Sequence, residues 1–229
     1  MRWAMILAAG RGERMRPLTD SKPKPLMNVN SKPLIIYHIE SLVASGVRDI
    51  VINVSYLGDM IKKELGNGEN WGVNIHYSDE PGGPLETAGG IYNALSFFNN
   101  DPFLVINSDV WTDYDFSNLL NYPLNEKLAH LVLTANPEHN SDGDFILNAD
   151  NLLSHEGKAQ RLTFTGLSVM SAKLFENNNS LKNNYKKKSL TPILKRAMAN
   201  RRISGELYSG DWIDVGSIDR FERLCNRFI

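Results

Sequence analysis

A chain of 229 residues, 42% of them hydrophobic, carries enough apolar side chains for one full core, and residues 1–229 are expected to form a single large α/β domain. Its 25 Lys and Arg against 26 Asp and Glu leave a formal charge of -1, which excludes the global cationic field used in non-specific nucleic-acid or membrane-surface binding. With Cys225 as the only cysteine, a disulfide framework and a thiolate metal cluster are excluded too.

The predicted elements follow in chain order. Apolar, β-branched runs at 4–8, 50–54, 73–77, 103–107 and 131–135 read as strands. Helical spacing fills 33–45, 57–65, 88–98 and 116–120; in the first of these Leu34, Ile35, Ile39, Leu42 and Val43 recur at three- and four-residue steps. Gly46 stands where that helix needs a left-handed cap. The alternation predicts a mostly parallel sheet with helices on both faces. After Pro137 the rhythm changes to short strands at 144–147, 162–169 and 206–208, with helices at 191–199 and 218–228. This half, from about 137 to 229, reads as an α+β extension packed on the first, about 1–136. The polar stretch 177–188 reads as a solvated loop, and Cys225 as a small apolar filler on the last helix. No run approaches the roughly 20 apolar residues of a membrane span. The apolar segment 5–10 runs into Arg11, Arg14 and Arg16 rather than a cleavage site, so a cytoplasmic protein is expected.

The first strand breaks at Ala8-Ala9-Gly10-Arg11-Gly12. Small residues there let backbone N–H groups approach phosphate oxygens, and Arg14 adds a guanidinium with paired donors. A plain strand-to-loop turn is the alternative. The dinucleotide fingerprint lacks its third glycine, because position 15 is Met and Pro17 stands where a helix should run; no Gly-Lys-Ser/Thr of a P-loop follows. In Lys22-Pro23-Lys24-Pro25 the prolines are expected to hold an extended arm that presents Lys24, useful where triphosphate charge grows, although lysines in such loops are commonly plain surface charges.

Asp109 follows the strand at 103–107, at the carboxyl edge where open α/β sheets place ligands, and Asp214 lies in Trp212-Ile213-Asp214-Val215-Gly216. Magnesium on a triphosphate takes one or two carboxylates, yet spacing alone does not bring these two together, and each also reads as a turn or cap residue. The small residues of Leu85-Glu86-Thr87-Ala88-Gly89-Gly90 suit a flat base against backbone amides; equally, Thr87 and the glycines cap the next helix. Asp144, after Gly143, reads as an acceptor for sugar hydroxyls or as an ordinary turn residue. His38, His76, His130, His139 and His155 share no spacing and read as core or surface residues, as Trp111, Trp212 and Phe97-Phe98 read as packing.

Taken together, Leu-Ala-Ala-Gly-x-Gly-x-Arg-Met-x-Pro-Leu-Thr at 7–19 and Lys-Pro-Lys-Pro-Leu at 22–26 resemble the signature of the sugar 1-phosphate nucleotidyltransferases. The likeness runs over nearly the whole chain, through 46–53, 85–90, 107–110 and 212–216. It implies a Rossmann-like, nucleotide-diphospho-sugar transferase fold. Leu7, Ala8, Ala9, Gly10, Arg11, Gly12, Glu13 and Arg14 would wrap a nucleoside triphosphate, with Lys24 on its phosphates and Glu86, Ala88 and Gly89 also at the nucleotide. Asp109 and Asp214 would hold Mg2+, and Arg14, Lys24 and Asp109 would be catalytic. Asn107, Asp144 and, more weakly, Asn53 would touch the sugar phosphate. Two departures stand out: Ser108 and Glu86, where the family commonly has Gly. Glu86 is shared with the small uridylyltransferases acting on N-acetylmuramate 1-phosphate, as are segments 110–116, 129–133, 143–145 and 204–206. That likeness implies UTP and this sugar phosphate as substrates, with no nucleic-acid or membrane partner, in a monomer or small homo-oligomer. Mannose 1-phosphate guanylyltransferase and glucose 1-phosphate thymidylyltransferase are the rivals in chemistry, and a non-catalytic sugar-nucleotide sensor is the rival in class.

Overall fold

The computed structural model describes residues 3–176 and 187–228; of the polar stretch expected at 177–188, residues 177–186 lie outside the described residues. The chain opens with β1 (Trp3–Leu7), whose alternation sends Ala4 and Ile6 to one face of the sheet and Met5 to the other. A small ribbon, β2 (Asn28–Val29) and β3 (Lys32–Pro33), leads into α1 (Leu34–Ala44). Gly46 adopts φ 99°, and its N–H to Val43 O and that of Val47 to Leu42 O close the expected cap. There follow β4 (Asp49–Val54), α2 (Gly58–Leu65), β5 (Asn74–Asp79) and α3 (Glu86–Ala94). The helix expected at 88–98 thus starts earlier and finishes as a 3-10 turn, Leu95–Phe98.

Next come β6 (Phe103–Asn107), β7 (Val110–Thr112), α4 (Phe116–Leu120) and β8 (Ala129–Thr134). The second half supplies a hairpin, β9 (Ile146–Leu147) with β10 (Leu153–Ser154), then β11 (Thr163–Met170), α5 (Thr191–Ala199), β12 (Ile203–Leu207), β13 (Trp212–Asp214) and α6 (Ile218–Asn226). Among the described residues, no helix is long and apolar enough to cross a membrane.

Seven strands form one sheet in the order β12-β8-β11-β6-β1-β4-β5. All neighbours run parallel except β11, which lies antiparallel between β6 and β8. The chain steps from β1 outward through β4 to β5, then returns to β6 on the other side of β1. The switch point of the winding therefore falls between β1 and β6, where the crevice at the strand ends is open to ligands. Register pairs Leu7 with both Asn53 and Asn107, so three strands finish level at this crevice. The second half shares the sheet through β11 and β12, and its Leu194 and Ile203 pack in one core cluster with Met5 and Phe98 of the first half.

Ile6, Ile39, Ile52 and Phe116 lie in one core layer; Met5, Val51, Ile91, Phe98 and Leu131 lie in the other. Each such side chain, once fully buried, contributes about 1.5–3 kcal/mol. A third, smaller cluster of Met15, Val29, Leu34, Val215 and Leu224 pins the loop after β1 and helix α6 to the start of α1.

Candidate active site

The loop leaving β1 is fastened at its edges and open in its middle. At its start Ala8 N donates to Asn53 Oδ1 at 2.8 Å, and near its end Met15 is completely buried in the third cluster. Gly12 O accepts from Met15 N at 2.9 Å and from Thr19 Oγ1 at 3.0 Å. Between those points the amides of residues 9 to 14 donate to no acceptor among the described residues. A fixed turn with open N–H groups is what an anion cradle requires. Arg11 leaves this turn to lie over the Tyr56 ring at 4.9 Å, with Glu13 at 3.4 Å.

Lys24 departs from the extended arm expected of it. Pro23 is extended, at φ -66° and ψ 143°, but Lys24–Leu26 close a 3-10 turn through Leu26 N to Pro23 O and Met27 N to Lys24 O. The fixed φ of Pro25 suits such a turn, and its two hydrogen bonds outweigh the pre-proline bias of Lys24. Lys24 is consequently buried, 7% exposed, and its Nζ lies 2.8 Å from Asp109 Oδ2.

Asp109 and Asp214 meet through a small antiparallel ribbon. β7 pairs with β13 so that Asp214 faces Val110, and Val215 N donates to Asp109 O at 2.8 Å. The ribbon thus brings the backbone at Asp109 beside that of Asp214 and Val215. Gly216 makes room for this approach: a Cβ there would stand 2.8 Å from Asp214 Oδ1 and 2.9 Å from Arg14 Nη2, and would collide with Arg220 Nη2. Neighbours without any sequence signal complete the cluster. Arg220 Nη1 and His139 Nε2 each lie 3.1 Å from Asp214 Oδ2. The Arg220 pair is off hydrogen-bonding angle, leaving buried Nε and Nη1 without a hydrogen-bond partner. Ser217, whose Oγ accepts from Arg220 N, starts α6 so that its first turn lies over Asp214. His139, read from sequence as a core or surface residue, reaches the site from the 3-10 turn Glu138–Asn140.

The opposite wall is a buried polar chain. Asn53 passes from Ala8 N to Glu80 Oε1, to which its Nδ2 donates at 2.7 Å, while Leu85 N donates to Glu80 Oε2 at 2.7 Å. Burial raises the Glu80 pKa, and the two donors partly oppose the shift. Asn53 is 3% exposed, and both ends of its amide are engaged. Glu86 adopts φ 61°, a left-handed conformation, which is the physical reason glycine suits this position. Thr87 does not cap α3: the cap position is Leu85, without a side-chain hydrogen bond, and the Ala88 and Gly89 amides instead donate to Lys188 O at 2.9 and 3.3 Å. Ser108 needs no unusual backbone; its Oγ donates to Leu7 O at 2.6 Å and ties β6 to β1.

These walls enclose about 340 Å³, lined among others by Leu7, Ala9, Gly10, Gly12, Glu13, Arg14, Lys24, Asn53, Glu86, Asn107 and Asp109. Ala8, Arg11, Ala88, Gly89 and Asp214 stand outside the lining, although Gly216, two residues after Asp214, is in it, and Ala88 is fully buried. A second pocket of about 320 Å³ adjoins it through shared Thr87 and Asn107 and contains Asp144. There Asp144 Oδ2 accepts from Phe164 N at 2.8 Å and Asn140 Nδ2 at 3.2 Å.

Three comparisons bear on this geometry. The nucleotidyl transferase family model matches residues 3–228. The N-acetylmuramate alpha-1-phosphate uridylyltransferase of Neisseria meningitidis serogroup B is 46% identical over 223 residues, covering 96% of this chain and 95% of that protein. The enzyme of the same description from Caulobacter vibrioides is 32% identical over 225 residues, covering 93% and 91%. In fold, the chain is similar to a UDP-glucose pyrophosphorylase solved with UDP-glucose: TM-score 0.78, 18% identity, 100% of this chain and 98% of the other.

Proposed function

The chain belongs to the nucleotidyl transferase family, and from that premise we propose that it transfers the uridylyl group of UTP to N-acetylmuramate 1-phosphate, giving UDP-N-acetylmuramate and pyrophosphate. What supports this reading is the ribbon that sets the Asp214 strand beside Asp109, together with the open amides of residues 9–14 and Lys24 held against Asp109. The specificity rests on the two uridylyltransferase relatives, whose likeness extends over nearly the full chain.

A phosphate oxygen of the sugar phosphate attacks the α-phosphorus of UTP; the bond to pyrophosphate breaks, and pyrophosphate leaves with the electron pair. The nucleophile is already anionic, so no covalent enzyme intermediate is needed. The chain holds the two substrates in line and neutralises charge on the α-phosphoryl oxygens. Loop amides and Arg14 take the β- and γ-phosphates. The Lys24 ammonium transfers its contact from Asp109 to the α-phosphate.

Magnesium suits the carboxylate pair, which offers hard oxygens; among the described residues no group of three or more His, Cys, Asp or Glu side chains provides a fuller protein cage. When bound, Mg2+ screens triphosphate charge and fixes its orientation. Residues 1–136 then serve mainly the nucleotide, and 137–229 supply Asp144 to the sugar and Asp214 to the metal.

The test is pyrophosphate release from UTP, GTP and dTTP against the 1-phosphates of N-acetylmuramate, mannose and glucose. The highest kcat/KM is expected for UTP with N-acetylmuramate 1-phosphate. A higher value for GTP with mannose 1-phosphate or dTTP with glucose 1-phosphate would transfer the assignment, and silence across the panel would favour a sensor.

A further inference from the structure

The second pocket carries charge that the transfer chemistry leaves unused. It continues the nucleotide pocket past Thr87 and Asn107 and holds Asp144, Phe164, Arg161 and Lys195. Asp144 is committed on one oxygen to Phe164 N and Asn140. Neither cation forms an ion pair among the described residues. Arg161 is held from two sides: its Nη2 donates to His155 O at 2.8 Å, and its backbone O accepts from Asn136 Nδ2 at 3.0 Å. Of the five guanidinium donors, that leaves four without an acceptor among the described residues.

Two cations at a sugar-sized pocket are poorly matched to a neutral hexose. N-acetylmuramate differs from N-acetylglucosamine by a lactyl ether on O3 that ends in a carboxylate. We infer that Arg161 and Lys195 receive this carboxylate and so select a sugar acid over its neutral counterpart. The assignment rests on the uridylyltransferase reading above and adds the residues that would set its sugar specificity. Arg161 supplies a planar, held fork, and Lys195, on α5, a movable point charge. The second oxygen of Asp144 has no partner among the described residues and would accept a sugar hydroxyl.

The experiment measures KM and kcat for N-acetylmuramate 1-phosphate and N-acetylglucosamine 1-phosphate with UTP, in the wild type and in Lys195→Met, Arg161→Met and Arg161→Lys. Lys195→Met is the cleanest arm, because Lys195 donates to no acceptor among the described residues. KM for the sugar acid is expected to rise roughly 10- to 100-fold in each Met variant, while KM for UTP and the rate with the neutral sugar stay put. Arg161→Lys should restore part of the loss. If wild type prefers the acid and the Met variants lose both sugars alike, or neither, the cation pair is overturned while the uridylyltransferase reading stands. If wild type shows no preference for the acid, that reading fails and the inference falls with it.

Discussion

Two backbone turns face the same crevice, and they treat their N–H groups in opposite ways. The loop after β1 leaves the amides of residues 9–14 open, whereas the first turn of α3 surrenders Ala88 N and Gly89 N to Lys188 O. Both offer partial positive charge, the second reinforced by a helix start. The first keeps every amide from 9 to 14 open, whereas the second keeps only Glu86 N and Thr87 N without an acceptor among the described residues, so the first is the better equipped to cradle phosphate. At the α3 start the chain's own carbonyl occupies two donors that an anion would otherwise use. The two turns are nevertheless coupled, because Asn53 and Glu80 link Ala8 N to Leu85 N through one buried chain.

The contrast breaks most sharply at the phosphate side. Asp109→Asn should lower kcat by roughly 10²- to 10³-fold with little change in Tm, since the asparagine oxygen can still accept from Lys24. Wild-type turnover in a folded Asp109→Asn protein would remove Asp109 from the reaction. Gly10→Ala tests the open amides themselves. A Cβ there meets nothing within 4 Å, so Tm should hold. Against a bound triphosphate the same methyl group obstructs, and KM for UTP should rise by about 100-fold. A fall in Tm without a change in KM would mean that the loop is packed rather than open.

The coupling between the turns can be strained from α3. A Cβ on Gly90 would stand 2.6 Å from Asn53 Nδ2 and 2.7 Å from Glu80 Oε1. Gly90→Ala should therefore destabilise by about 1–3 kcal/mol, lowering Tm by roughly 2–12 °C and weakening UTP binding with it. An unchanged Tm would show that the buried chain yields freely and does not hold the two turns in register.

Sequence made the open turn legible and hid the covered one. The anion loop is local: small residues, Arg14 and a strand end lie within a dozen positions. Asp109 could be placed at a sheet edge, but Asp214 could not be placed beside it, because the β7–β13 pairing spans about a hundred residues and leaves no spacing signature. Arg220 and His139 escaped for the same reason. The α3 start is hidden in part because Thr87 looks like a cap, while the actual acceptor, Lys188 O, is a backbone carbonyl with no residue-type signal. Lys24 was expected on an extended arm because pairwise proline rules carry no information about the turn that buries it.

Acid sets the two buttresses against each other. His38, behind the aspartate ribbon, is buried with Nε2 2.8 Å from Val110 O, and burial lowers its pKa from 6.5 to about 4, with Val110 O and the Asp109 charge opposing. The unfolded chain thus takes up this proton first. Its contribution is intact above pH 6.5 and is lost as pH falls toward 4, at no more than about 1.4 kcal/mol per pH unit. Glu80 has the opposite sign: its pKa is raised, so its contribution is present below its ordinary value of 4.5 and lost as pH rises through the folded one. Thermal melts between pH 7 and 4.5 should show falling Tm in the wild type and a flatter profile in His38→Gln, which keeps a donor for Val110 O. Parallel profiles would place the acid sensitivity elsewhere.

The smallest effect is the most informative about the covered turn. Glu86 sits exposed at φ 61°, a conformation that costs a side-chain-bearing residue about 1–2 kcal/mol. Glycine relieves that strain but gives back about 0.5–1 kcal/mol in chain entropy. Glu86→Gly should therefore stabilise by about 1 kcal/mol or less, a Tm gain of at most roughly 4 °C. Glu86 also lines the crevice proposed to take the nucleotide, so the strain is proposed to serve binding. The variant should then melt higher while its KM for UTP rises. If KM stays level as Tm climbs, Glu86 is not at the nucleotide, and the strain at the start of α3 is carried without benefit to binding.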